Sequence, residues 1–187
     1  LWIKAGVAEQ WYKSYPGQPN GHPRYRGVPT MASIAKHLAK EQTHLQSTRA
    51  QSLCHDGCLW RVQLESKKII EARSVIITSP VPQALELLNQ GDTQLPSPIL
   101  ERLQKIQYES CIAVMAVLDG PTNLPDPGAL ALEQGPIAWI SDNAKKGVSP
   151  IPAITIHASG NYSAAHFSHD RLAVGRELIE KARPLFG

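Results

Sequence analysis

The sequence has few aromatic residues, no dense cluster of charge of either sign and no long apolar run. Aromatic residues make up 6% of 187 positions, and 19 Lys and Arg residues against 16 Asp and Glu residues leave a net charge of +3. No basic cluster is longer than a pair, so the electrostatic footprint of a nucleic-acid-binding protein is missing. The longest apolar run, residues 111–118, is far too short to span a bilayer. We therefore expect neither a nucleic-acid partner nor a membrane partner.

Several common signature motifs are also missing. No two glycines are spaced as G-x-G, and P-loop, H-E-x-x-H and G-x-S-x-G sequences do not occur. Residues 54–58 hold two cysteines and a histidine without a second ligand pair, so no metal site is predicted. The three cysteines and the lack of an export signal favour reduced thiols in a cytoplasmic protein. Because the sequence begins with Leu1 and stops after a helix-like segment, we expect it to be a piece of a longer protein.

The patterning that is present predicts an α+β fold, with a mixed β-sheet and flanking helices. A linker rich in proline and glycine covers residues 14–29. The predicted strands are 1–12, 45–53, 59–64, 68–72, 111–118, 137–141 and 153–157. One predicted helix follows Thr30 as its N-cap, and three more cover 83–88, 99–106 and 171–186. Residues 75–77 are apolar at consecutive positions, which predicts a parallel strand buried on both faces.

The turn after this last strand has restrictive chemistry. Ligands of open α/β sheets lie beyond the carboxyl ends of the strands, and residues 78–82 occupy such a position. Pro80 and Pro82 remove two backbone donors from the turn. The turn is therefore a poor cradle for phosphate and a better flat wall for a ring.

A candidate pocket involves the predicted strands 137–141 and 153–157. By alternation His157 shares a face with Thr155 and is half-buried at the end of its sheet. If the two strands are neighbours, Trp139, Asn143 and His157 converge as an aromatic wall, an amide and a titratable donor for a small-molecule substrate. The alternative is a core histidine satisfied by a backbone carbonyl.

Seven segments, in their order along the chain, resemble the middle of renalase-like, FAD-dependent amine-oxidase-type flavoproteins. They are YRGVPTM at 25–31, SIAKHL at 33–38, TRAQ at 48–51, VIITSPVPQ at 75–83, YES at 108–110, SDNAKK at 141–146 and ITIH at 154–157. The resemblance covers nearly the whole chain from Arg24 onward. It implies that residues 1–24 and 89–187 form a substrate-binding domain, and that 25–88 are part of an FAD domain. The family's glycine-rich pyrophosphate motif and its C-terminal FAD motif are absent from this sequence.

The same resemblance implies the roles of individual residues. Backbone atoms of Arg49 and Ala50 approach the adenine of FAD, and Thr78 and Pro80 lie beside the adenosine half. Asn143 and His157 face the flavin as substrate-pocket residues, and no catalytic residue is assigned.

The implied reaction is hydride transfer from a small reduced substrate, such as an isomeric dihydronicotinamide, to FAD, followed by reoxidation by oxygen. The remainder of the FAD domain is then the partner of this chain. We expect the chain alone to be inactive, to hold no FAD and to expose apolar surface through which a homodimer forms. The alternative is a stand-alone α+β binding or interaction module without catalysis.

Overall fold

The computed structural model describes residues 1–13 and 21–187, so residues 14–20 of the predicted linker lie outside it. The strands are β1 (Ala8–Tyr12), β2 (Arg24–Gly27), β3 (Ala50–His55), β4 (Trp60–Leu64), β5 (Ile69–Ala72), β6 (Ala113–Val117), β7 (Ala129–Ala131), β8 (Ile137–Asp142) and β9 (Ala153–Ala158). The helices are α1 (Ala32–Ala39), α2 (Val81–Gln90), α3 (Ser97–Gln104), α4 (Gly160–His166) and α5 (Arg171–Phe186). The predicted α+β class is confirmed. Within the described ranges, no helix combines the length and the apolarity that a bilayer crossing requires.

The chain divides into two compact units. The first contains residues 1–42 and 109–187, and the second contains residues 43–108. The division predicted from the sequence instead has its boundaries at residues 25 and 89.

The first unit is built on a four-stranded antiparallel sheet in the order β6-β9-β8-β7. One face of this sheet packs against α5, whose helical period places Val174, Leu178 and Ala182 toward Ile154 and Ile156 in a common core. The helix begins at Asp170, whose side chain accepts a hydrogen bond from the Ala173 N–H. Its bounds are those predicted from the sequence.

A two-stranded hairpin, β1 with β2, belongs to the same unit. The predicted strand over 1–12 is wrong in its first half, because residues 1–7 form turns and only Ala8–Tyr12 pair with a partner. Its partner β2 lies in the segment predicted as linker. The strand β2 pairs with residues 12 to 19 positions away and has no alternating pattern of its own, so the sequence could not indicate it.

The second unit contains the predicted meander, in the order β3-β4-β5, followed by α2 and α3. The Asp56 carboxylate accepts hydrogen bonds from the N–H groups of Cys58 and Leu59, which closes the β3–β4 turn. The end of α2 approaches β3 so closely that a Cβ at Gly91 would lie 2.2 Å from the Leu53 carbonyl oxygen. Glycine is therefore required where α2 ends against β3.

Three further expectations are corrected. Residues 75–77 form no strand, and Ile76 is 88% exposed; a run of apolar residues does not by itself supply a neighbouring strand to pair with. The predicted buried strand at 111–118 is β6, an edge strand with one exposed face, where Met115 is 81% exposed. Thr30 does not cap α1, which begins after Met31 without a side-chain cap.

Candidate functional site

A polar cleft of about 570 Å³ lies in the second unit, between the β3–β4 pair and one side of α2. It brings together two of the predicted cofactor residues, Arg49 and Ala50. The remaining lining residues are Gln51, Ser52, Gln63, Glu65, Ser79, Gln83, Glu86, Leu87 and Gln90. Its volume falls in the usual range for small-molecule sites, and amide and carboxylate groups dominate its walls.

A β-bulge decides what the main chain offers to this cleft. The pairing of β3 with β4 changes register between Ala50 and Ser52, so Gln51 is the extra residue. The Glu65 N–H donates to the Arg49 carbonyl at 2.9 Å, which makes this pair the hydrogen-bonded one. Since bonded and non-bonded pairs alternate in an antiparallel ladder, Ala50 directs its N–H and C=O away from β4, toward the cleft.

The first turn of α2 is a poor cradle for phosphate, as the sequence predicts. Pro80 is the N-cap residue and Pro82 is the second helical residue, and neither has an N–H. The N–H of Val81 between them donates to the Tyr108 hydroxyl at 2.9 Å. Of the four backbone positions whose N–H groups are free at a helix N-terminus, two are proline and one is already used, so only the Gln83 N–H is left for an anion.

The structure separates the other two predicted cofactor residues from the cleft wall. Thr78 and Pro80 are exposed and do not line the cleft, whereas Ser79 between them does. The position of this turn along the chain is predictable from the sequence, but which of its side chains faces the cleft is not.

The predicted substrate residues meet on the face of the first unit's sheet opposite α5. Trp139 and His157 are cross-strand partners on β8 and β9, so their side chains lie next to each other on that face. The Asn143 amide Nδ2 donates to the Thr155 hydroxyl at 3.0 Å, and Thr155 precedes His157 on the same face. Trp139, Asn143 and His157 therefore belong to one surface of alternating apolar and polar groups.

His157 is half-buried, as predicted. The imidazole makes no hydrogen bond or ion pair with any residue that the structure describes, so no backbone carbonyl satisfies it there. On the β6 side its neighbour in register is Ala113, a small residue that leaves room over the ring. The imidazole nitrogens are therefore available to a polar ligand.

Trp11 and Lys146, which the sequence did not indicate as site residues, lie at one end of this sheet face. The Trp11 ring contacts Trp139 edge-on, with centroids 6.5 Å apart, and its Nε1 donates to the Pro127 carbonyl at 3.2 Å. The Lys146 ammonium lies 4.4 Å from the centroid of the Trp11 ring, a cation–π contact. Burial lowers the pKa of Lys146, and the nearby Arg26 guanidinium lowers this pKa further.

Arg26 ties the same hairpin to the β8–β9 turn. Its guanidinium donates to the Gly147 carbonyl at 2.7 Å and forms an ion pair with Glu9. No local signal predicts these contacts, because Arg26 and Gly147 are 121 residues apart.

The β8–β9 turn is itself held by Asp142, which is 2% exposed. One carboxylate oxygen accepts from the Thr122 hydroxyl at 2.6 Å, and the other accepts from the Lys145 N–H at 2.8 Å. The turn carries Asn143 at its start and Lys146 near its end, so Asp142 fixes the positions from which both reach the sheet face.

No metal centre emerges from the part of the chain that the structure describes, which contains no group of three or more metal-ligating side chains. Cys54, Cys58 and Cys111 are free thiols.

Comparisons with known proteins give a structural likeness only. No family model matches the sequence, and no curated protein matches it. Among solved structures, the chain is similar to one described as "putative protoporphyrinogen oxidase" from Exiguobacterium sp. 255-15. The TM-score is 0.63 at 17% sequence identity, over 89% of this chain and 37% of the other. The chain thus has the fold of little more than a third of that protein.

Proposed function

We propose that this chain is the central part of an FAD-dependent oxidoreductase of the renalase-like amine-oxidase type. In this proposal the cleft of the second unit holds the adenine end of FAD, and the sheet face of the first unit forms a wall of the substrate pocket. The observation that carries it is the bulge that leaves the Ala50 N–H and C=O free at a polar cleft of suitable size. The fold shared with an oxidase more than twice as long supports the same assignment.

The residues present fit adenine better than any other part of the cofactor. The ring edge of adenine carries a donor beside an acceptor, which is complementary to the C=O and N–H of one peptide position. One cation, Arg49, and two carboxylates, Glu65 and Glu86, line the cleft, so its charge does not favour an anion. The pyrophosphate would be gripped by a glycine-rich turn elsewhere in the enzyme.

On the substrate side, the residues suit a flat, polar, already reduced ring. Trp139 supplies an aromatic wall, and His157 and Asn143 supply a ring nitrogen and an amide for its polar edge. Such groups orient a carboxamide without abstracting a proton, so the proposal needs no general base. FAD, when bound, supplies the hydride acceptor. A dihydronicotinamide isomer is the substrate class that meets these requirements.

The cofactor assignment is tested by titrating the 187-residue chain with adenosine and with AMP, followed by ¹H–¹⁵N NMR. We expect shifts at Ala50, Gln51 and Ser79 and, for so small a ligand, a Kd on the order of 1 mM. Because only one backbone donor, the Gln83 N–H, is left at the first turn of α2, AMP should bind within about threefold of adenosine.

The matched variants are Ala50→Pro and Ala50→Val. Proline removes the N–H at an edge position where a strand tolerates it, so affinity for adenosine should fall at least about tenfold. Valine keeps the main-chain groups and should bind as the parent does. Equal affinities of the two variants, or AMP binding far more tightly than adenosine, would contradict the assignment. So would a purified chain that carries stoichiometric flavin.

The substrate assignment is tested in the complete enzyme with His157→Ala and, as control, His37→Ala on α1. The first should raise KM or lower turnover at unchanged flavin content, and the second should do neither. Loss of flavin together with loss of fold would mark His157 as a structural residue instead. The stand-alone module remains the alternative, and it predicts no glycine-rich G-x-G-x-x-G segment upstream in the gene.

A further inference from the structure

The outer edge of β6 presents unpaired main-chain groups within the described structure, since β6 is the terminal strand of its sheet. The Ala158 N–H donates to the Ile112 carbonyl, and the Leu118 N–H donates to the Pro152 carbonyl. By alternation, the even positions of β6 bond to β9 and the odd positions point outward. The N–H and C=O groups of Ala113, Met115 and Val117 therefore form a free edge about five residues long.

An apolar groove of about 480 Å³ runs between this edge and the first turns of α5. Its exposed apolar side chains include Leu172, 73% exposed, and Phe167, 66% exposed, whereas Met115 borders it through its main chain, since its side chain lies opposite Thr155 on the other face of the sheet. Gly175 on α5 leaves the floor open, since a Cβ there would meet only one Val114 methyl, at 4.0 Å. An exposed edge strand beside an apolar groove is a template for another strand.

The charge around the groove has one sign. Arg171 and Arg176 line it, with His166 and His169, and no carboxylate does. Neither arginine forms an ion pair with a residue that the structure describes. Two acidic residues are adjacent to these arginines in the sequence: Asp170 is engaged as the N-cap of α5, and Glu177 forms an ion pair with Lys181. This charge disfavours a second copy of the same groove and favours an occupant that carries carboxylates.

We infer that the β6 edge and its groove bind an extended polypeptide segment of alternating apolar and acidic residues, distinct from residues 1–187, as a fifth strand of the sheet. The segment pairs its main chain with the odd positions of β6, its apolar side chains fill the groove, and its carboxylates meet Arg171 and Arg176. This is strand addition, in which the main chain gives affinity and alternate side chains give specificity.

The test uses the 187-residue chain and a fluorescein-labelled octapeptide of alternating valine and glutamate, followed by fluorescence anisotropy. A matched peptide carries lysine in place of glutamate. We expect the glutamate peptide to bind at least about tenfold more tightly at low salt, and the difference to shrink as salt rises.

Variants separate the main-chain and charge contributions. Met115→Pro removes an outward N–H without breaking the β9 ladder and should weaken binding about tenfold, whereas Met115→Ala should change it less than about threefold. Val117→Pro tests the same edge if circular dichroism shows Met115→Pro to be unfolded. The double variant Arg171→Gln/Arg176→Gln should abolish the preference for glutamate, and Arg183→Gln, on α5 outside the groove, should preserve it.

Three results would overturn the inference. The first is equal affinity for the two peptides. The second is binding that both proline variants leave intact. The third is sedimentation showing a dimer that Met115→Pro dissociates, because the occupant would then be a second copy of this chain.

Discussion

Replacing Asp142 tests how strongly its carboxylate stabilises the β8–β9 turn, which carries Asn143 of the proposed substrate pocket. Its two carboxylate oxygens accept one hydrogen bond each, from the Thr122 hydroxyl and the Lys145 N–H, and the side chain is 2% exposed. Hydrogen bonds to a charged group contribute about 1.5–3 kcal/mol each, so Asp142→Ala should lower the free energy of unfolding by about 3–6 kcal/mol. Asp142→Asn keeps one acceptor oxygen and should lose about half of that.

The assay is urea unfolding followed by tryptophan fluorescence in a Trp60→Phe background. Trp60 is the one tryptophan of the second unit, so the signal then comes from Trp2, Trp11 and Trp139 in the unit that contains Asp142. Asp119→Ala is the control, because Asp119 is exposed in the same unit. The reasoning is refuted if Asp142→Ala costs no more than the control, or if the alanine and asparagine variants are equally stable.

Three further predictions concern stability. Gly91→Ala should lower the free energy of unfolding of the second unit by about 1–3 kcal/mol, since its Cβ would lie 2.2 Å from the Leu53 carbonyl oxygen; chemical denaturation followed by Trp60 fluorescence measures this. Gly175→Ala should instead stabilise the first unit by about 0.5–1 kcal/mol, because its Cβ has room in α5; a higher urea midpoint is the expected result, and a lower one would contradict it. Burial lowers the pKa of Lys146 in the fold, so the unfolded chain binds more protons between the folded pKa and 10.5; stability should rise with pH in that window, and Lys146→Met should remove the rise in urea titrations at pH 8 to 10.

Helices and strands whose sequence pattern lies within their own residues were predictable. The bounds of α5 follow from its helical period and its cap, and the β3-β4-β5 meander follows from alternation and the turn at Asp56 and Gly57. Residues 75–77 show the limit, because strand composition does not decide whether a partner strand lies alongside.

The same limit applies to the candidate site. Trp139 and His157 were predicted together because they lie on strands close in sequence, and β8 and β9 do pair. The roles of Trp11, Arg26 and Lys146 were not predictable, since their contacts join the β1–β2 hairpin to loops more than a hundred residues away. The bulge at Gln51 was equally unpredictable, because a shift in the register of strand pairing has no characteristic amino-acid composition.

That bulge has a consequence for how the cleft tolerates sequence change. The cleft receives the main-chain N–H and C=O of residue 50, and every residue type except proline supplies both groups. When every residue type is placed at position 50, the affinity for adenosine should therefore stay nearly constant, with a clear loss only for proline. Deleting Gln51, the extra residue of the bulge, would make the ladder regular and leave Ala50 opposite Leu64, so the outward N–H and C=O at position 50 should survive the loss of a whole residue beside them.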